Sequence, residues 1–130
     1  MSLSDPIANL LTKIRNAKTA KHRYVDICYS KMIKEIVEVL NQTGFIENYL
    51  VNDNKHTLRV FLKYSGLREP VIQGLKRFSK PGLRRYVGYR EIPNVLGGLG
   101  ISVLSTPEGV IDGETAKRKK VGGELLCYVW

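Results

Sequence analysis

Gly100-Ile-Ser-Val-Leu-Ser-Thr-Pro-Glu-Gly-Val-Ile-Asp-Gly-Glu-Thr-Ala-Lys-Arg-Lys-Lys-Val-Gly-Gly-Glu-Leu-Leu-Cys-Tyr-Val-Trp130 is the stretch that decides the fold of this 130-residue chain. Ile101 to Ser105 is an apolar strand that runs into a hydroxyl-bearing turn, Ser105-Thr106-Pro107, and Pro107 and Gly109 are residues that reverse a chain. Gly109 to Asp112 reads as a second short strand and Glu114 to Lys120 as one or two helical turns. The paired glycines Gly122 and Gly123 then open an aromatic strand, Glu124 to Trp130. Four consecutive cations, Lys117 to Lys120, sit beside that strand. Uncharged hydroxyls on a stiff turn next to positive charge suit a folded nucleic acid. The hydroxyls bond to sugars and base edges while the cations hold phosphates.

Upstream of this stretch the pattern stays strand-like. Val71 to Ser79 is expected as a strand, Lys80-Pro81-Gly82 as a turn, Tyr86 to Tyr89 as a strand, and Ile92 to Leu96 as a helical turn before Gly97 and Gly98. Ser65-Gly66-Leu67-Arg68-Glu69-Pro70 marks the boundary to a different first half. There Asp5 caps a helix with Pro6 in its first turn, and Ile7, Leu10, Leu11, Ile14 and Ala17 recur at helical spacing. That stripe leaves Asn9, Thr12, Lys13 and Asn16 facing outward. Tyr24 to Cys28 reads as a strand. Ser30 caps a second helix with Met32, Ile33, Ile36, Val37 and Leu40 inward and Gly44 as its stop. Phe45 to Val51 and Thr57 to Tyr64 are expected to form a hairpin across Asn52-Asp53-Asn54-Lys55. The fold class is therefore α+β, with two small domains sharing an apolar interface. Residues 1–64 form an α-β-α-β-β amino-terminal unit, packed on a mainly β carboxyl-terminal unit at residues 65–130.

Twenty-one Lys and Arg against 12 Asp and Glu give a net charge of +9, with 43% hydrophobic and 25% charged residues. That composition belongs to a folded domain, and its charge attracts polyanions. The charge is clustered. Lys13, Arg15, Lys18, Lys21 and Arg23 form one acid-free block, and Lys76, Arg77, Lys80, Arg84, Arg85 and Arg90 form another, interleaved with Phe78, Tyr86 and Tyr89. A charge run is usually just a solvated face, but three acid-free blocks, counting Lys117 to Lys120, shift the balance toward a ligand.

Other chemistries find no constellation. Cys28 and Cys127 lie far apart in apolar strands and are expected to act as small buried hydrophobes in a reducing compartment. His22 and His56 lack spaced ligand partners, so no metal, cofactor or catalytic residue is expected. Gly97-Gly98-Leu99-Gly100 lacks the Lys-Ser/Thr of a phosphate loop, and Ser105 has no nucleophile elbow around it. No apolar run approaches the ~18 residues of a membrane span, and no signal peptide is visible, so a cytoplasmic protein with no membrane partner is expected. A small hydrolase would need Ser105, an acid and a histidine together. The stronger rival is a general nucleic-acid chaperone or DNA-binding protein.

Within the candidate surface, strand alternation puts Arg84 and Tyr86 on one face. Arg84 and Lys80 are favoured as contacts, ahead of Tyr86, which is either a core residue or a stacking platform. The turn at Ser105, Thr106, Pro107 and Gly109 is either a plain hairpin connection or a contact. Lys117 and Lys119 supply charge beside it. A carboxylate at Glu124 is repelled by phosphates, so it is expected to orient a neighbour, to accept from a base amino or sugar hydroxyl, or to cap a turn.

The ordered motifs Asp5-Pro-Ile-Ala-Asn-Leu-Leu-Thr-Lys-Ile-Arg-Asn16, Ser30-Lys31, Gly44-Phe-Ile46, Lys80-Pro-Gly-Leu-Arg84 with Tyr86, Gly98-Leu-Gly-Ile101, Ser105-Thr106 with Gly109, and Gly122-Gly-Glu124 through Cys127-Tyr128 carry a resemblance. Over essentially its whole length the chain resembles the bacterial small-subunit ribosomal protein eight family. The resemblance implies a two-domain protein that binds the central domain of small-subunit rRNA early and directly and helps build the platform. It also implies small-subunit proteins five and twelve as neighbours and, as in some bacteria, the messenger RNA of its own operon as a further partner. By resemblance, Ser105 and Thr106 reach the RNA, Tyr86 lies nearby, and Gly122, Gly123 and Glu124 shape the adjoining surface. Lys31, Arg15 and Asn16 match positions of the amino-terminal half that approach RNA. Pro107 stands where many members carry a serine, removing one hydroxyl and stiffening the loop, and Cys28 stands where a proline is frequent.

Overall fold

Each long helix begins where a side chain can accept an orphaned backbone N–H. Asp5 accepts from the Ala8 amide at 3.2 Å and Pro6 takes the first position of helix α1 (Pro6–Thr19). Ser30 accepts from the Ile33 amide at 3.2 Å to open α2 (Lys31–Gln42). The computed structural model describes residues 5–130. The α1 stripe is buried as its spacing dictates, and so are Ile33, Ile36, Val37, Val39 and Leu40 of α2. Met32 departs from the expectation and is exposed. It belongs to the stripe by spacing, but the first turn of α2 projects past the edge of the core, over a cleft described below.

Strands β1 (Tyr24–Cys28), β2 (Ile46–Asn52) and β3 (Thr57–Leu62) form an antiparallel sheet in the order β1-β3-β2. Leu58, Val60 and Leu62 point into the helices. The opposite phase puts Tyr24, Asp26 and Cys28 of β1 beside Phe61, Arg59 and Thr57 of β3 on an open face. Cys28 is therefore exposed, against expectation, because the buried phase of β1 belongs to Ile27. Cys127 is buried as expected, and burial pushes its thiol up to about 12.

The second sheet runs β4 (Leu75–Arg77), β8 (Gly123–Val129), β6 (Ile101–Thr106), β7 (Gly109–Asp112), and β5 (Tyr86–Val87) pairs with the start of β8. The strand expected over Val71 to Ser79 is confined to three residues. Beyond Arg77 the bonding continues, with the Phe78 and Ser79 amides donating to the Leu126 and Leu125 carbonyls. An irregularity between Val103 and Leu104 in the β6–β8 pairing, where Leu126 has no partner, breaks the ladder there. The strand expected over Tyr86 to Tyr89 stops at Val87, and Tyr89–Glu91 closes a 3-10 turn instead. The helical turn expected over Ile92 to Leu96 is displaced to Leu96–Gly98, because Ile92 precedes Pro93 and stays extended. Helix α3 (Gly113–Lys119) is present and ends at Lys120 in the left-handed region, φ 56°.

One core runs through both halves. Ile7, Leu10 and Ile14 of α1 and Ile33 and Ile36 of α2 join one cluster with Leu75, Val103, Leu126 and Val129. A second, smaller cluster of Leu104, Leu125, Ile92 and Ala116 lies on the other face of the second sheet, under α3. Polar stitches cross between the halves. Arg77 pairs with Asp5 at 3.1 Å and donates to the Leu126 carbonyl at 2.6 Å, and Arg15 donates to the Leu75 carbonyl at 2.7 Å. The Val110 amide donates to Glu35 at 3.3 Å.

Candidate nucleic-acid interface

Because both faces of the second sheet are covered, its polar residues, Lys76 of edge strand β4 apart, reach solvent where the strands end. At that end the register aligns Tyr86 with Glu124, Glu124 with Ser105, and Ser105 with Val110. Residues directly opposite across strands stand on one face ~5 Å apart, so these side chains form a row. Gly122 and Gly123 permit it. A Cβ on Gly123 would meet the Ser105 carbonyl oxygen at 2.1 Å, and one on Gly122 would meet the Val87 carbonyl oxygen at 2.3 Å. The two glycines let β5, β8 and β6 close up where the row begins.

Glu124 is the organiser of the row. Its side chain is 12% exposed, and one oxygen accepts from the Ser79 hydroxyl at 2.5 Å while the other accepts from Arg84 at 3.3 Å. Ser79, fully buried, also accepts from the Arg85 amide at 3.1 Å. The carboxylate thus fixes both ends of the Lys80–Leu83 turn, which is closed by reciprocal backbone bonds of 3.0 and 2.9 Å. Of the roles expected for Glu124, orienting its neighbours is the one the geometry displays. Tyr86, 67% exposed, projects into solvent and is no part of the core. Lys80 is exposed on the same turn.

The two hydroxyls of the β6–β7 turn differ. Thr106 donates to the Gly109 carbonyl at 2.8 Å and accepts from the Glu108 amide at 3.2 Å, so it is occupied in shaping the turn. Gly109 sits at φ 108°, where a side chain is strained, and Pro107 is exposed at the tip. Ser105 is half-buried, and no protein hydrogen bond to its hydroxyl occurs among the described residues.

The remaining predicted residues fall into two groups. Lys117 and Lys119 lie on the α3 layer, the opposite face from the Tyr86–Glu124–Ser105 row. Yet α3 runs back along the sheet after β7 and delivers the chain to Gly122, so its cationic end reaches the same end of the sheet as the turn. Lys31 is exposed at the start of α2. It follows Ser30, which with Met32, Arg77, Pro81, Arg84 and Glu124 lines a cleft of ≈ 210 Å³ between the halves. Arg15 and Asn16 are not brought to this end. They lie nine and ten residues along α1 from Pro6, about 14–15 Å away at 1.5 Å per residue. Sequence reasoning missed Ser79, which was absorbed into an over-long strand, and saw Arg77 only as one cation of a basic block rather than as the partner of Asp5. Among the described residues no group of His, Cys, Asp and Glu could hold a metal ion, and no helix is long and apolar enough to cross a membrane.

A family model described as "Ribosomal protein S8" matches residues 5–130. The chain belongs to the ribosomal protein S8 family. The S8 relatives named "Small ribosomal subunit protein uS8" include one from Protochlamydia amoebophila, 53% identical over 100% of both chains. Another, from Chlamydia trachomatis, is 57% identical over 98% of this chain and 97% of its own, and one from Chlamydia caviae shows the same figures. As an S8 protein the chain is a structural, non-enzymatic component of the small ribosomal subunit, and its α+β architecture is that of the family.

Proposed function

We propose that this chain binds the central domain of small-subunit rRNA directly, as a primary binder, and helps assemble the platform beside small-subunit proteins five and twelve. Residues 65–130 carry the RNA-selective surface, and residues 1–64 brace it and add further contacts. The messenger RNA of its own operon is a second RNA that the same surface would take. The observation that supports this reading best is the row Tyr86–Glu124–Ser105 with Arg84 held on Glu124. It offers a stacking ring, a fixed guanidinium and a hydroxyl without a protein partner at one end of a rigid sheet, the combination that suits an irregular RNA helix with an accessible minor groove. Lys31, Lys80, Lys117 and Lys119 surround it with phosphate-seeking charge.

Competition binding tests the assignment. Ser105→Ala with Thr106→Ala should erode the preference for a small-subunit rRNA transcript over a generic RNA duplex. Lys119→Ala should weaken both alike and lower the salt slope by about 1. A double variant with undiminished preference would reduce the turn to a connector. A wild-type protein that discriminates poorly among RNAs would be a general chaperone.

A further inference from the structure

A second cationic site lies at the far side of the amino-terminal half, outside the surface described above. Lys21, Arg23, Glu47, Leu62, Tyr64 and Arg68 line a cleft of ≈ 320 Å³. Three cations face one carboxylate there. Elsewhere in the protein Arg59 pairs with Asp26, Arg77 with Asp5 and Arg84 with Glu124, while Arg15 and Arg118 donate to a carbonyl and a hydroxyl and Arg85 and Arg90 lie over aromatic rings. Among the described residues Lys21, Arg23 and Arg68 form no ion pair, although Glu47 shares their cleft. Holding three unpaired cations in one depression costs repulsion that an incoming anion would relieve.

The backbone presents these cations from pinned turns. α1 ends with the His22 amide donating to the Ala17 carbonyl at 2.9 Å, which leaves Lys21 in the left-handed region at φ 57°. Arg68 is also left-handed, at φ 62°, in a turn closed by its own amide on the Ser65 carbonyl at 2.9 Å. The Ser65 hydroxyl accepts from the Leu67 and Glu69 amides to hold that turn. The Tyr64 hydroxyl donates to the His22 carbonyl at 2.5 Å and ties the two turns together. Left-handed geometry is strained at a residue with a Cβ, and glycine would avoid it. Lys21 also complements the dipole at the end of α1, but Arg23 and Arg68 lie on other elements and gain nothing from it.

We propose that this cleft is a second phosphate-binding site that grips the sugar–phosphate backbone of the same RNA, resting on the RNA-binding reading above. Its ligand is a phosphodiester run: the cleft is open and carries no base-reading amide, so it should add affinity without selectivity. The test uses the full-length chain with Lys21→Gln, Arg23→Gln and Arg68→Gln combined, titrated against a small-subunit rRNA transcript across ~50 to ~200 mM salt. The expected result is affinity reduced at least tenfold near ~100 mM, with the salt slope shallower by about two to three. Glu47→Gln, which removes the opposing carboxylate, should bind a few-fold tighter and provides a reading even if the triple variant folds poorly.

Unchanged slope and affinity in both variants would overturn the site. A triple variant that binds RNA normally but fails to enter reconstituted small-subunit particles would also overturn it, in favour of an acidic protein segment. If the wild-type chain itself bound no rRNA transcript, the primary reading would fall first, an outcome distinct from either of these.

Discussion

The two sheets are both antiparallel and both bury a face in the same core, yet they leave different things exposed. The amino-terminal sheet keeps a whole face open. On it Arg59 bonds both Asp26 oxygens and lies 4.0 Å from the Tyr24 ring centroid, so its central charges are satisfied internally. The carboxyl-terminal sheet is covered on both faces and opens mainly where its strands end. There its polar groups are fixed by Glu124 and Ser79, and Tyr86 and the Ser105 hydroxyl are left uncommitted. An open face with its charges already paired has little to offer a ligand. A rigid sheet ending in a few oriented, unfilled groups is suited to recognition, because little ordering remains to be done on binding.

The contrast can be broken most severely at β8. Deleting Leu125 to Trp130 removes the strand that pairs with β4 and β6 and takes Leu126, Cys127 and Val129 from the shared core, so cooperative thermal unfolding should vanish. A variant that melts like the parent would refute the sheet order. Next in size is Gly123→Ala, whose Cβ would meet the backbone of Ser105 and Thr106. A loss of about 3 kcal/mol in urea is expected. Gly82→Ala, with open space around it, should change stability by less than about 1 kcal/mol.

Ser79→Ala comes third. It leaves the Arg85 amide without its acceptor and one Glu124 oxygen without its donor, at about 1–3 kcal/mol, and it should loosen Arg84 and with it RNA affinity. On the open face the effect should be small. Arg59→Ala removes a solvent-exposed ion pair, and the denaturant midpoint should shift only slightly. The Arg59 hydrogen bond, and then its charge, hold the Asp26 carboxyl below its ordinary value. The pair's contribution is therefore present above the ordinary carboxyl range and lost as pH falls through the lowered value. Comparing denaturant midpoints of parent and variant from pH 7 to pH 2 checks the sign. Thiol labelling sharpens the same contrast, since Cys28 should react in the native state and Cys127 only after unfolding.

Much of this was legible in the sequence because it rests on local rules. The caps at Asp5 and Ser30, the stripes of α1 and α2, the hairpins and the strands of the last stretch follow from spacing and turn residues. What escaped depends on partners distant in sequence. The short β4 is set by the irregular pairing of β8, the exposure of Met32 by where the core ends, and that of Cys28 by the phase of β1 against β3. The candidate residues were visible as types, but the tie of Ser79 to Glu124 spans 45 positions and no local pattern announces it.

Crosslinking the full-length chain to small-subunit rRNA and mapping both the attached peptides and nucleotides tests the central claim most directly. Attachment should concentrate on the peptides carrying Tyr86 and Ser105 to Gly109, on nucleotides of the central domain. Attachment confined to the open face around Tyr24 and Phe61, or nucleotides scattered over the whole rRNA, would contradict it.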